Sequence, residues 1–269
     1  MGVTLEARGA SYAYPGAGTG ARTGGKPVFS GLDLAAVPGE VFSILGPNGA
    51  GKSTLLACLA GLRPVSAGKI LLAGRDLTSY PRAEAARIMA FAPQAHQAVF
   101  AFTALDVVLM GRAPHLGLFA SPGRKDRDIA HEALAAMGVD HLADTPYTET
   151  SGGQRQLILF ARILAQKPRI LLLDEPTSHL DFGNQIQTLV LIRKLADQGM
   201  AVIMTTHFPG HAFFADGRAA ILSGGRFTAT GRPREALTEK ALSAAYGVAV
   251  RLADVPGCGR ICAPLTGDM

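Results

Sequence analysis

Residues 46–54 read Gly46-Pro47-Asn48-Gly49-Ala50-Gly51-Lys52-Ser53-Thr54. They fit the pattern G-x-x-x-x-G-K-[ST] at every fixed position. Glycines let successive backbone N–H groups curl around an anion, and a helix starting there adds its positive end. The residues that would cradle phosphate are Asn48, Gly49, Ala50, Gly51, Lys52, Ser53 and Thr54. Lys52 is placed to reach the β- and γ-phosphates of a nucleotide, and Ser53 to hold magnesium. A second reactive pair, Asp174-Glu175, ends the apolar run Ile170 to Leu173. Asp174 would support magnesium directly or through water, and Glu175 would polarise an attacking water. An acid pair at a strand end also serves as a helix N-cap, but a phosphate loop in the same chain favours the catalytic reading.

These groups need elements to hold them. Val41 to Leu45 is a short strand-type run before the loop, and Leu55, Leu56, Leu59 and Leu62 follow it at helical spacing. Val3 to Arg8, Ser11 to Tyr14 and Val28 to Leu34 read as short strands, with a glycine-rich hairpin loop over 15–26. Lys69 to Ala73 reads as a strand, Pro81 to Met89 as a helix and Ile88 to Ala92 as a buried strand. Between about 95 and 165 the character turns helical, with helices over Thr103–Gly111, Lys125–Met137 and Ser151–Ala165. Ile170 to Leu173 and Ala201 to Met204 are continuous apolar runs of the kind buried on both faces of a parallel sheet. A helix over 184–198 separates them, and a hairpin begins at Ala219 and runs through Phe227. The alternation predicts an α/β core interrupted by a helical insertion.

The bulk properties agree with a globular chain. Of 269 residues, 48% are apolar and 17% charged, enough to bury a sizeable core. The net charge of +5 is dispersed, which speaks for a solvated surface and against nucleic acid. The longest apolar run, Leu55 to Ala60, falls far short of the ~20 residues a membrane span needs. The N-terminal residues lack a basic-then-apolar signal. Cys58, Cys258 and Cys262 form no even framework, so reduced thiols in the cytosol are expected, with Cys58 as core packing.

One further segment narrows the choice among phosphate-loop proteins. Ser151-Gly152-Gly153-Gln154 opens a helix and offers a second anion cradle from a hydroxyl and glycine N–H groups. One nucleotide does not need two cradles, so the second is expected to serve the ATP of another copy. With these motifs the chain resembles the ATP-binding subunit of an ABC transporter over about residues 3–250. Residues 46–54 resemble the Walker A motif, Leu171 to Glu175 the Walker B motif, and Thr150 to Gln154 the signature, with Thr150 where the family most often has Leu. Gln94 resembles the Q-loop glutamine, Ser178-His179-Leu180-Asp181 the D-loop, and His207 the switch histidine.

The resemblance implies a P-loop core with an antiparallel β subdomain and a helical subdomain over about 95–165, followed by a C-terminal tail at 251–269. It implies ATP and Mg2+, with Glu175, His207 and Gln94 catalytic and Ser53, Gln94 and Asp174 serving the metal. Tyr14 resembles the aromatic residue that stacks on adenine, while Tyr12 fits the core equally well. Asp181 and Ser151 to Gln154 would complete the nucleotide site across a head-to-tail homodimer. A lone histidine after a buried strand is often structural; the strand expected beside Leu171 to Asp174 points His207 toward the γ-phosphate instead. The other six histidines show no ligand spacing.

Leu105 to Arg112 with Pro114-His115, and Glu175 to Gln185, resemble importer subunits for iron-siderophore, haem and cobalamin. Ser151 to Ala161 and Thr205 to Pro209 also resemble relatives that import molybdate or tungstate. The implied partners are integral membrane permease subunits and, indirectly, a substrate-binding protein, with the chain peripheral on the cytoplasmic face of the inner membrane. A soluble non-transport ABC ATPase is the alternative class; the single nucleotide domain and the lack of a heptad run or basic arm speak against it. Ala98 to Phe102 is apolar and suits a groove for a permease helix, with Phe100 and Phe102 foremost. Val107, Val108 and Met110 fit either that groove or the interior of the helical subdomain.

Overall fold

The computed structural model describes residues 3–15, 27–94, 102–117 and 119–265. The first half contains β1 (Leu5–Ala13), β2 (Pro27–Ala36), β3 (Val41–Leu45), α1 (Lys52–Leu59), β4 (Ala67–Leu72), β5 (Arg75–Asp76), α2 (Arg82–Ile88) and β6 (Met89–Ala92). The helical stretch holds α3 (Ala104–Leu109), α4 (Arg124–Ala136) and α5 (Gly152–Ala165). Then come β7 (Ile170–Leu173), α6 (Phe182–Asp197), β8 (Ala201–Thr206), α7 (Pro209–Ala215), β9 (Arg218–Ser223) and β10 (Arg226–Gly231). The chain closes with α8 (Pro233–Ala236), α9 (Glu239–Tyr246), β11 (Val250–Val255) and β12 (Gly259–Pro264).

Apolar runs decide the central sheet. Every residue of β3, β7 and β8 is buried, so these strands sit inside a sheet covered on both faces. The strand order is β10-β9-β3-β8-β7-β6, parallel from β9 to β6, with β10 antiparallel at one edge. A second, antiparallel sheet runs β2-β1-β4-β5. Its inner residues Leu5, Phe29 and Leu32 pack with Leu55, Leu56 and Leu59 of α1 and with Ile44 and Ile203 of the central sheet. The opposite face of the central sheet meets Phe160 and Ile163 of α5 and Leu189 and Ile192 of α6.

The helical segment builds its own core. Val107, Val108, Ile129, Leu134 and Ile158 cluster with Tyr147, all buried. That places Val107 and Val108 inside the subdomain, while Met110 is part-exposed. Residues 98–101, including Phe100, lie outside the described residues, as do 16–26 of the glycine-rich stretch. Phe102 is 44% exposed and its carbonyl accepts from the Tyr147 N–H.

Two segments differ from the sequence reading. The short strands at 3–8 and 11–14 are one strand, β1, whose pairing slips between Arg8 and Ser11. Gly9 there takes φ 57, and a bulge at a left-handed glycine breaks the alternation without ending the strand. Residues 250–264, within and beside the stretch read as a tail, form the hairpin β11–β12. It packs through Leu252 and Cys262 onto a cluster with Leu45, Ala212 and Leu242, so it contacts the end of β3 and the helix after β8.

Candidate functional site

The phosphate loop leaves β3 by a backbone path that excludes side chains. Gly46, Gly49 and Gly51 all have positive φ, and a Cβ at Gly46 would collide with the Leu222 carbonyl of β9. The turn delivers the chain into α1, whose N-cap is Gly51 and which has neither a side-chain cap nor an acid in its first turn. Its first N–H groups are therefore left for an anion. By contrast α3 and α5 are closed by capping boxes.

Lys52 is 5% exposed and folds back over the loop. Its Nζ donates to the carbonyls of Gly46 (2.8 Å) and Pro47 (3.1 Å) and lies 3.5 Å from Glu175 Oε1. Glu175 follows β7 with φ 47, a left-handed conformation that costs a non-glycine residue energy and that surrounding contacts must hold. Two contacts hold it. The Glu175 N–H donates to Thr205 Oγ1 (2.9 Å), and Thr205 donates to Asp174 Oδ1 (2.7 Å). The carboxylate then meets three groups from three segments. Gln94 Nε2 donates to Oε2 at 2.9 Å, Lys52 stands at Oε1, and His207 Nδ1 is 3.5 Å from Oε2. His207 Nδ1 is too poorly aligned for a hydrogen bond and is buried without any other partner.

These side chains line one cleft of about 1120 Å³, with Asn48 to Thr54, Tyr14, Gln94, Glu175, His179 and His207 on its walls. Tyr14 is half exposed; its hydroxyl pairs with Thr54 Oγ1 (3.0 Å), and the Arg63 guanidinium sits 5.2 Å from its ring centroid. Tyr12 is buried and stacks on Phe29, so it belongs to the core. Asp174 is buried behind the cleft and does not line it.

The remaining sequence-selected residues lie elsewhere. Ser151, Gly152, Gly153 and Gln154 do not line the cleft. The Gln154 N–H donates to Ser151 Oγ (3.2 Å) and the Ser151 N–H to Gln154 Oε1 (2.9 Å), so the hydroxyl closes its own helix. A Cβ at Gly152 would meet open space, whereas one at Gly153 would lie 2.6 Å from Asn184 Oδ1. Asp181 caps α6 by accepting from the Asn184 N–H (2.8 Å) and Nδ2 (2.8 Å).

The residues fit a magnesium nucleotide. The orphaned His207 nitrogen and the uncapped start of α1 are donors or dipoles in want of an anion. Ser53 and Gln94 line the cleft and would offer hard oxygen ligands, whereas Asp174, buried behind it, would act through water. Among the described residues no three His, Cys, Asp or Glu gather as a metal cage.

Sequence reasoning did not single out Thr205, Thr206, Thr177 or His211. Thr206 Oγ1 pairs with His211 Nδ1 at 2.9 Å and accepts from the Phe208 N–H at 3.1 Å, and Thr177 Oγ1 is 3.4 Å from the same nitrogen. Burial, with His207 nearby, pushes the His211 pKa down to about 4. The only local signal was two hydroxyls at the end of a buried strand.

Residues 29–178 match the family model described as ABC transporter. The Hemin import ATP-binding protein HmuV of Gloeobacter violaceus is 43% identical over 241 residues, covering 86% of each chain. That of Pseudomonas entomophila is 42% identical over 243 residues, 88% of this chain and 94% of the relative. A chain of a metal-chelate type ABC transporter, solved in an inward-facing conformation, superposes with TM-score 0.84 at 33% identity, covering 98% of both. No helix among the described residues is long and apolar enough to cross a membrane. The chain belongs to the ABC transporter family and carries that family's ATP-binding domain.

Proposed function

We propose that this chain is the ATP-hydrolysing subunit of an importer that takes up haem or another iron chelate through separate permease subunits. The observation that carries the hydrolytic part is the convergence of Lys52, Gln94 and His207 on the Glu175 carboxylate at the mouth of the phosphate loop. The cargo rests on relatives named for hemin import and on a structural neighbour of metal-chelate type. In this reading residues 1–250 are the ATP-binding domain, with the helical subdomain at about 95–165. The chain sits at the cytoplasmic face of the inner membrane, held by its permease, and meets the substrate-binding protein only through it.

The chemistry follows from what each side chain can do. Asn48 to Thr54 and α1 bind the phosphates, Lys52 neutralises the β- and γ-oxygens, and Tyr14 stacks on the base. Ser53 and Gln94 would hold Mg2+, with Asp174 behind them acting through water. Magnesium, when bound, would supply charge neutralisation at the phosphates. Glu175 accepts a proton from, or orients, the attacking water, and His207 donates to the γ-phosphate.

The phosphate-loop cleft lacks Ser151 to Gln154 of its own chain, so two copies arranged head to tail would each complete the other's site, with Asp181 at the junction. A two-fold pair of this kind is self-complementary. Closure around ATP would move Gln94 and the helical subdomain as rigid bodies and change the facing of the permease. The test is reconstitution with the permease and binding protein in vesicles, measuring uptake of haem, ferric siderophore, cobalamin and molybdate with ATP inside. Haem- or chelate-stimulated hydrolysis with matching uptake supports the reading. Uptake of molybdate alone would reassign the cargo, and copurification with RNA or DNA instead of a permease would overturn the transport function.

A further inference from the structure

His211 is a buried titratable group to which the hydrolytic scheme above gives no part. It lies one turn into α7 and is only 9% exposed. Its Nδ1 faces two hydroxyls, one at the end of β8 and one in the turn that follows β7. Thr206, at 2.9 Å, directly precedes His207. Thr177, at 3.4 Å, follows Glu175 by one intervening proline. The Phe208 N–H already donates into Thr206 Oγ1, which leaves the Thr206 hydroxyl its own proton to give. The 2.9 Å pair with His211 Nδ1 fits either direction; in the arrangement put forward here Thr206 donates and Nδ1 accepts, with the ring proton on Nε2. The neutral state also suits the setting, since burial and the neighbouring His207 both oppose a charge on this ring. The rings of His207, Phe208 and His211 pack in series, with centroids 4.0 and 5.1 Å apart.

We propose that His211 is a positioning residue for hydrolysis: its neutral Nδ1 ties the Thr206 segment to the Thr177 segment and so fixes where His207 stands relative to Glu175. This rests on the reading that Glu175 and His207 act at the γ-phosphate. A displacement of about 1 Å at a reacting group can reduce a rate about a hundredfold, so a tie of this sort acts on turnover rather than on nucleotide binding.

Three variants separate the tie from mere packing. Asn at this position puts an acceptor oxygen where Nδ1 is; Gln puts it further out; Leu fills the space without an acceptor. For His211→Leu, and to a similar degree His211→Gln, kcat should fall roughly tenfold or more while KM for ATP stays within about twofold. His211→Asn should restore kcat to within roughly threefold of the parent. Equal kcat for Leu and Asn, or an unchanged kcat for Leu, would overturn the proposal. Should the variants fold poorly, nitrogen NMR of the 15N-histidine-labelled parent decides. The expected result is a pyridine-type Nδ1 and a pyrrole-type Nε2 for His211, and the opposite tautomer refutes the tie. Failure of the underlying reading looks different: Glu175→Gln and His207→Ala would then retain turnover, whatever His211 does.

Discussion

Replacing Glu175 by Gln changes one oxygen for an amide and removes one charge, and the structure lets the two consequences be weighed. Structurally the loss is small. The Gln94 Nε2 donor at 2.9 Å keeps an acceptor if the new amide oxygen faces it, and the backbone N–H bond to Thr205 is untouched. The Lys52 contact at 3.5 Å is lost, but Lys52 retains its two loop carbonyls. One exchanged hydrogen bond and one weakened ion contact amount to about 1 kcal/mol of stability. Chemically the loss is larger, because an amide cannot accept the water proton. A positioned general base contributes typically 10²–10⁴ in rate, about 3–5 kcal/mol of barrier. Removing a negative charge beside the γ-phosphate also favours bound ATP. Glu175→Gln should therefore melt within a few degrees of the parent, bind ATP at least as well and accumulate as an ATP-bound dimer, while kcat drops at least about a hundredfold. Single-turnover hydrolysis, nucleotide affinity and dimer content check this together. Parental turnover in the variant would move the base elsewhere. Asp174→Asn is the control, and should weaken magnesium-dependent affinity instead.

Gly46→Ala should prevent ATP binding and lower stability by several kcal/mol, since the new Cβ meets the Leu222 carbonyl and backbone cannot step aside; thermal melting with and without MgATP reads both effects. Tyr14→Ala should weaken ATP binding roughly fivefold, the loss of about 1 kcal/mol of aromatic stacking, whereas Tyr14→Phe loses only the Thr54 bond; fluorescent-nucleotide titration distinguishes them. His211 binds a proton less readily folded, at about 4, than its ordinary 6.5, so the unfolded chain holds more protons in between. Its contribution to stability is complete above about pH 6.5 and declines as pH falls toward 4, by roughly 3 kcal/mol over the whole window. Urea midpoints between pH 7.5 and 4.5 should show a shallower decline in His211→Asn than in the parent.

What could be read in advance follows from locality. The phosphate loop, the signature and the acid pair are contiguous, so residue type and spacing reveal them. The runs Ile170 to Leu173 and Ala201 to Met204 announce buried parallel strands because both faces are covered, and the observed strands pair in parallel register. Elements that depend on distant partners were harder. The bulge at Gly9 interrupts alternation, so one strand reads as two. The β11–β12 hairpin packs on one side only, and Pro256, Gly257 and Gly259 make it look like a tail. The Thr206–His211–Thr177 cluster joins the end of β8, helix α7 and the turn after β7, and no short window of sequence contains it.

The most direct test of the account mixes two inactive chains. Lys52→Ala destroys the phosphate loop, and Ser151→Arg destroys the second cradle. Alone, each variant pairs into a dimer whose two sites are both broken, and should hydrolyse no ATP above background. Mixed in equal amounts and allowed to exchange, half of the dimers carry one intact composite site, so hydrolysis should return to about a quarter of the parent if sites act independently. Recovery of that order is what the head-to-tail account predicts. No recovery despite demonstrated mixed dimers, or full activity of the Ser151→Arg chain alone with linear dependence on concentration, would contradict it.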